Sequence, residues 1–276
     1  MRTVKNIRMY LFHISSILLI CSHLYSEDVH PPADADDPGY YEAVSYDKDR
    51  DGNGDNKYAK LDIWVPEFSA NAPLIVFFHG GGFYKGSRST VKSNFDIDYL
   101  RSKGIAVATC GYPLTKSFWS SDKEDKVNST DDIYPYTDDA IDYLKTYSSY
   151  FGINPSQIFV SGSSAGAVIA LRLAYFADHG IHSCAAFNIP TGFDDFADNY
   201  NKTPPQPSTI FIHNKYTDDW LHPIGISRTV HSMAKDLNIN SRLYGTGDNG
   251  LKSIPKGYNK SEYYYRLLKK YGHIDQ

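Results

Sequence analysis

From residue 58 onward, compact apolar runs alternate with amphipathic segments, and this alternation limits the fold more than any other feature. YAKLDIWV, PLIVFFH, GIAVATCGY, QIFVSG, CAAFNI, STIFIH and SRLYG are rich in β-branched and aromatic residues. Bounded by Pro or Gly, such runs read as strands. Between them, TDDAIDYLKTYSSYFG sets Ala140, Ile141, Leu144, Ser148 and Phe151 near helical spacing, with Thr137 as N-cap and Gly152 as the stop. AGAVIALRLAYFADHG, RTVHSMAKDL and SEYYYRLLKKYG follow as helices. Continuous apolar strands separated by helices predict an α/β fold, a mostly parallel sheet covered on both faces. A length of 276 residues suits one large domain. A net charge of -4 without a Lys/Arg cluster argues against a nucleic-acid partner.

The first residues follow another pattern. Basic MRTVKNIR precedes apolar MYLFHISSILLICS and polar HLYSEDVHPPADADD, the order of a signal peptide. Residues 1–26 are therefore expected to be removed, with the protein secreted or periplasmic. A retained anchor is the rival, but the apolar run is shorter than the roughly 20 residues of a span, so no stable membrane span is expected after removal. Residues 27–57 are polar and acidic, and residues 58–276 form the main domain. Asp47, Asp49, Asp51 and Asp55, with Gly52 at the sixth place, match the start of a calcium loop, although Tyr58 replaces the usual Glu at the twelfth. A calcium site and a solvated acidic hairpin loop stand as equal readings. No other cofactor is required.

Two motifs carry chemistry. Gly162, Ser163, Ser164, Ala165 and Gly166 form G-x-S-x-G between a strand and a helix, where a serine on a tight turn exposes its hydroxyl. His79, Gly80, Gly81 and Gly82 follow an earlier strand, in the order of a loop that turns backbone N–H groups toward a developing oxyanion. With KLDIWVP before that loop, GINPSQIFVSGSSAGA around the serine and IFIHNKYTDDWLHP further on, residues 58–271 resemble the α/β-hydrolase fold. The closer resemblance is to the esterase/lipase branch related to hormone-sensitive lipase.

This resemblance implies hydrolysis of a small-molecule ester through an acyl-enzyme. Ser164 would be the nucleophile, with the N–H groups of Gly80, Gly81 and Ala165 as the oxyanion hole and His79 as a structural loop residue. The acid falls in NKYTDDWLHP: the family's spacing selects Asp218, with Asp219 as the alternative, and either carboxylate also suits a helix cap. Similar esterases place the histidine in a Gly-rich turn before the terminal helix, where this chain has Asn249. His222 belongs to the acid loop and is expected to approach from the wrong strand; His231 lies in a helix, and His273 beyond the last one. The expectation is an impaired triad, and the alternative is a catalytically inactive binding protein on a hydrolase fold. Two strands should separate Cys110 from Cys184, too far for a disulfide. Phe118, Trp119, Phe193, Phe196 and Tyr200 fall in two long loops above the sheet, suited to lining a pocket or to plain packing.

Overall fold

The computed structural model describes residues 37–47, 56–67, 69–116, 126–181, 183–192, 209–216 and 219–274. The chain divides into residues 1–32 and 33–276, and all described residues lie in the second unit. The expected signal peptide and the five aromatic residues of the long loops lie outside the described residues. No described helix is long and apolar enough to cross a membrane.

Eight strands form one sheet in the order β1-β2-β4-β3-β5-β6-β7-β8. They are β1 (Tyr40–Ser45), β2 (Lys60–Trp64), β3 (Ala72–Phe78), β4 (Ala106–Cys110), β5 (Ile153–Ser163), β6 (Ser183–Phe187), β7 (Thr209–Asn214) and β8 (Asn240–Gly245). β2 pairs antiparallel with β1 and with β4, and every other pairing is parallel. β1 was not foreseen: YYEAVS has two exposed positions and no continuous apolar run, as suits an edge strand.

The interior strands follow the pleat. Leu74, Val76 and Phe78 of β3 face one core, and Ile75 and Phe77 face the other. The first core is closed by α2 (Tyr134–Thr146), α4 (Ala165–Tyr175) and α5 (Ile224–Asp236), the second by α1 (Ile97–Ser102) and α6 (Lys260–Lys270). A short 3₁₀ turn, η1 (Arg88–Ser93), precedes α1. Burial of both sheet faces explains why these strands read as continuous apolar runs.

Helix boundaries moved where local chemistry won. Thr137 does not cap a helix; it lies inside α2, its hydroxyl donating to the Tyr134 carbonyl, because Pro135 already starts the helix. The segment also breaks after Thr146, and a one-turn helix, α3 (Ser148–Phe151), ends at Gly152 with φ +66°. α6 starts with a capping box: Asn259 accepts from the Glu262 N–H, and the Glu262 carboxylate accepts from the Asn259 N–H.

Cys110 on β4 and Cys184 on β6 are free and fully buried, with β3 and β5 between them. Burial pushes both thiols far above their ordinary pKa. Both are expected to be silent to a thiol reagent such as DTNB in the native protein and to react fully once it is unfolded. Native-state reaction at either position would contradict this packing.

Candidate active site

The site is built at the carboxyl ends of β3, β5 and β7. β5 runs into Ser164, which has φ +55° and ψ -120°, and α4 begins at the next residue. Such a backbone conformation is strained for a residue with a side chain, costing on the order of 1–3 kcal/mol. It is held because the Ser164 N–H donates to the Phe187 carbonyl at 2.9 Å and its carbonyl accepts from Ala167 N at 2.8 Å. Both glycines of the motif are required by close backbone approach. A Cβ on Gly162 would sit 2.0 Å from the Gly166 carbonyl oxygen, and one on Gly166 would sit 2.0 Å from that of Phe78.

The glycine loop abuts this turn. A Cβ on Gly80 would fall 2.6 Å from the Ser163 carbonyl oxygen and 3.2 Å from the Ser164 Cβ. Gly81 has φ +124°, and its carbonyl accepts from Lys85 N at 3.2 Å. His79 does not touch the serine hydroxyl. Its ring stacks on Tyr112 at 4.3 Å, its Nδ1–H donates to the Gly80 carbonyl at 2.9 Å, and its own carbonyl accepts from the Tyr112 hydroxyl at 2.7 Å. Burial holds its pKa down to about 4, so the ring is neutral and shapes the loop. Ala165 opens α4, where a backbone N–H has no partner within its own helix.

The histidine is the main correction. Nε2 of His222 lies 3.0 Å from Ser164 Oγ, and Nδ1 lies 2.6 Å from Asp219 Oδ2. An ionised carboxylate only accepts, so Nδ1 carries the proton and Nε2 is left to accept from the serine. The same carboxylate accepts from Leu221 N at 2.9 Å, and its pKa is lowered first by the hydrogen bond from His222 and then by that N–H. His222 is held on its other sides too: Asn214 Nδ2 donates to its carbonyl at 2.9 Å, and Tyr216 stacks on its ring at 4.7 Å. Leu221's carbonyl accepts from Thr191 N at 2.7 Å, tying the loop to the segment after β6. The expected wrong approach fails because the loop after β7 folds back over β6 toward β5. Asp-x-x-His-Pro was the available signal: i, i+3 spacing lets the two side chains meet, and Pro223 keeps His222 out of the helix.

The other predicted residues are placed as follows. Asp218 lies outside the described residues, and the carboxylate that meets His222 is that of Asp219. His231 Nδ1 pairs with Ser241 Oγ at 2.6 Å. His273 Nε2 pairs with Thr209 Oγ1 at 2.8 Å, at the amino end of β7 and so at the opposite edge of the sheet from Ser164. Asn249 is buried and works as a clamp: Nδ2 donates to the carbonyls of Asn214 at 2.7 Å and Tyr216 at 3.1 Å, and Oδ1 accepts from Leu251 N at 3.2 Å. Of the calcium-loop acids, Asp47 is buried with Oδ2 accepting from Asn56 N at 3.2 Å, while Asp49, Asp51 and Asp55 lie outside the described residues. Among the described residues no group of three or more His, Cys, Asp or Glu side chains is arranged to hold a metal ion.

The BD-FAE family matches residues 61–223, from β2 through the serine turn to the end of the Asp219–His222 loop. The chain belongs to the BD-FAE family. Gut esterase 1 of Caenorhabditis elegans is 30% identical over 113 residues, 41% of this chain and 20% of that protein. Acetylcholinesterase of Electrophorus electricus is 27% identical over 151 residues, 52% of this chain and 22% of that one. The chain thus spans about a fifth of the length of these curated relatives. Esterase 2 of Thermogutta terrifontis, phosphoramylated by tabun, superposes with a TM-score of 0.63 at 19% identity, covering 87% of this chain and 97% of that one. With butyrate bound, the same esterase gives a TM-score of 0.60 at 17% identity over 86% and 96% of the two chains. That likeness is one of fold. This BD-FAE member has the α/β fold of the esterase structures it matches.

Two outcomes follow. Asn249→Ala leaves the buried Asn214 carbonyl without its donor and is expected to cost about 1–3 kcal/mol in a urea melt. Asn249→His is expected to cost a similar amount and to lower ester turnover, because the amide packs closely on Gly245, where even a Cβ would come 2.4 Å from Oδ1. Higher turnover in Asn249→His would refute the clamp. The second outcome concerns acid. Burial holds both His79 and His213 down to about 4, against an ordinary value of 6.5. Between those values the unfolded chain binds more protons, so stability is complete above about pH 6.5 and is lost as pH falls toward 4. Melting temperatures measured across that window should fall with pH.

Proposed function

We propose that the protein is a serine carboxylesterase acting through an acyl-enzyme, with Ser164 as nucleophile, His222 as base and Asp219 as its orienting carboxylate. One observation carries the reading: the continuous hydrogen-bonded chain from Ser164 Oγ through His222 to Asp219. In the first half-reaction the Ser164 oxygen attacks the ester carbonyl as its proton passes to His222 Nε2, and the imidazolium is stabilised by Asp219. His222 then returns that proton to the leaving alcohol. In the second half, water attacks the acyl-serine by the same route and releases the acid. The N–H groups of Gly80, Gly81 and Ala165 take the oxyanion, each worth about 3–4 kcal/mol in the transition state.

The binding-only alternative rested on Asn249 in the histidine slot, and His222 within hydrogen-bond reach of Ser164 supports the catalytic reading over it. Kinship with the hormone-sensitive-lipase branch is part of the proposal, supported by His79–Gly82 and Gly162–Gly166. Its departure is that the base shares a loop with the acid. Esters of short acids, in the range of the butyrate held by the Thermogutta esterase, are the proposed substrates. Export by way of residues 1–26 and a weak calcium site over residues 47–55 belong to the same proposal. Calorimetry at millimolar calcium without heat would discard the latter.

The test is hydrolysis of p-nitrophenyl esters from acetate to decanoate, with fluorophosphonate labelling. Ser164→Ala and His222→Ala are each expected to lose about 10⁴- to 10⁶-fold in kcat, and His231→Ala and His273→Ala little. Labelling should vanish in Ser164→Ala. Ordinary turnover in His222→Ala would remove the base assignment.

A further inference from the structure

One residue, Phe187, links the nucleophile's turn to a cation that the proposed reaction does not use. Phe187, whose carbonyl holds the Ser164 N–H, is in register with Ser163 on β5 and His213 on β7. Parallel neighbours in register point to the same face, so the three side chains form one row at the carboxyl edge. Over that row reaches Lys260, the first residue of α6. Its Nζ lies 4.7 Å from the centre of the Phe187 ring and donates to Asn94 Oδ1 at 3.3 Å.

Among the described residues, the neighbouring charge that acts most on this ammonium is another cation, Lys215. Burial, and then the charge of Lys215, push its pKa down to about 8, and Lys260 in turn helps to lower that of His213. Among the described residues, neither Lys260 nor Lys215 makes an ion pair with a carboxylate. Lys260 lines a cleft of about 560 Å³ between η1, α1 and the start of α6. Of the acids along it, Asp37 pairs with Arg101, Asp96 caps α1 and Asp98 is exposed. A cation partly withdrawn from water without a counter-ion is unfavourable for the free protein. An anion brought by the substrate removes that penalty.

We propose that Lys260, flanked by Lys215 and His213, forms an anion subsite beside Ser164 that takes the free carboxylate of a half-ester, so that the esterase prefers substrates whose acyl chain ends in a carboxylate. The proposal rests on the serine-hydrolase reading of Ser164. Hydrolysis of such a half-ester consumes one water and gives the dicarboxylate and the alcohol.

The experiment compares kcat/KM for monomethyl adipate and methyl hexanoate, esters of equal length that differ in a terminal carboxylate or methyl, by following methanol release. The wild type should favour the half-ester. In Lys260→Met that preference should fall by about tenfold or more, the scale of a lost charged hydrogen bond, with methyl hexanoate turnover within about twofold of wild type. Lys260→Arg should retain the preference. Lys215→Ser, at an exposed position that folding tolerates, should lose part of it. A preference unchanged in both Lys260→Met and Lys215→Ser overturns the subsite and leaves the hydrolase reading intact. If the wild type hydrolyses neither ester, the hydrolase reading fails instead, and calorimetric binding of adipate decides the subsite. Binding about tenfold weaker in Lys260→Met supports it, and equal binding overturns it.

Discussion

The site depends on one backbone crossing, where α4 leaves the end of β5 and passes back against the sheet. With glycine at 162 and 166 the two backbones approach closely enough that a single Cβ at either position would collide with a carbonyl. That approach forces Ser164 into its left-handed turn and brings its Cβ beside Gly80. The strain is local, on the order of 1–3 kcal/mol. It is borne by a turn anchored to the neighbouring strand through Phe187 and flanked by two cores that are fully buried.

A second constraint acts on the histidine. His222 sits on a connection rather than on a regular element, and connections are normally the mobile part of a fold. Here three amide side chains fix it. Asn188 Oδ1 accepts from Lys215 N, Asn214 joins the Tyr216 N–H to the His222 carbonyl, and Asn249 draws in the carbonyls of Asn214 and Tyr216. Asn188 has φ +51°, a conformation asparagine tolerates better than most residues. Each amide satisfies backbone groups that burial would otherwise leave unpaired, at about 1–3 kcal/mol apiece. The result is a network that supports the His222 ring within hydrogen-bond reach of Ser164.

The interior strands and the order of strands and helices were legible because burial on both faces writes itself as continuous apolar runs. The serine turn and the glycine loop were legible because close backbone approach demands glycine at fixed spacing. β1 escaped because only one of its six positions is buried and two are exposed. The base was misread for a different reason. A family's spacing says which strand usually supplies the histidine, whereas the path of the loop after β7 is set by hydrogen bonds with Asn214 at its own start and with Asn188 and Asn249, which are distant in sequence. Asp-x-x-His-Pro was visible, but nothing local shows that this loop folds back across β6.

In the proposed triad acid and base share one loop, and that changes what the rest of the fold must do. When the histidine comes from the turn after the last strand, that turn must hold a titrating ring against the acid across a loop boundary. Here Asp219 and His222 are three residues apart, so their contact is nearly a local property of the chain, comparable to an Asx turn. Only the distance to Ser164 is long-range, and it is set by the clamp on the loop. In the proposed mechanism the turn after β8 takes no part in catalysis, and its neutral amide satisfies two carbonyls. On that reading Asn249 is part of the scaffold that holds the loop.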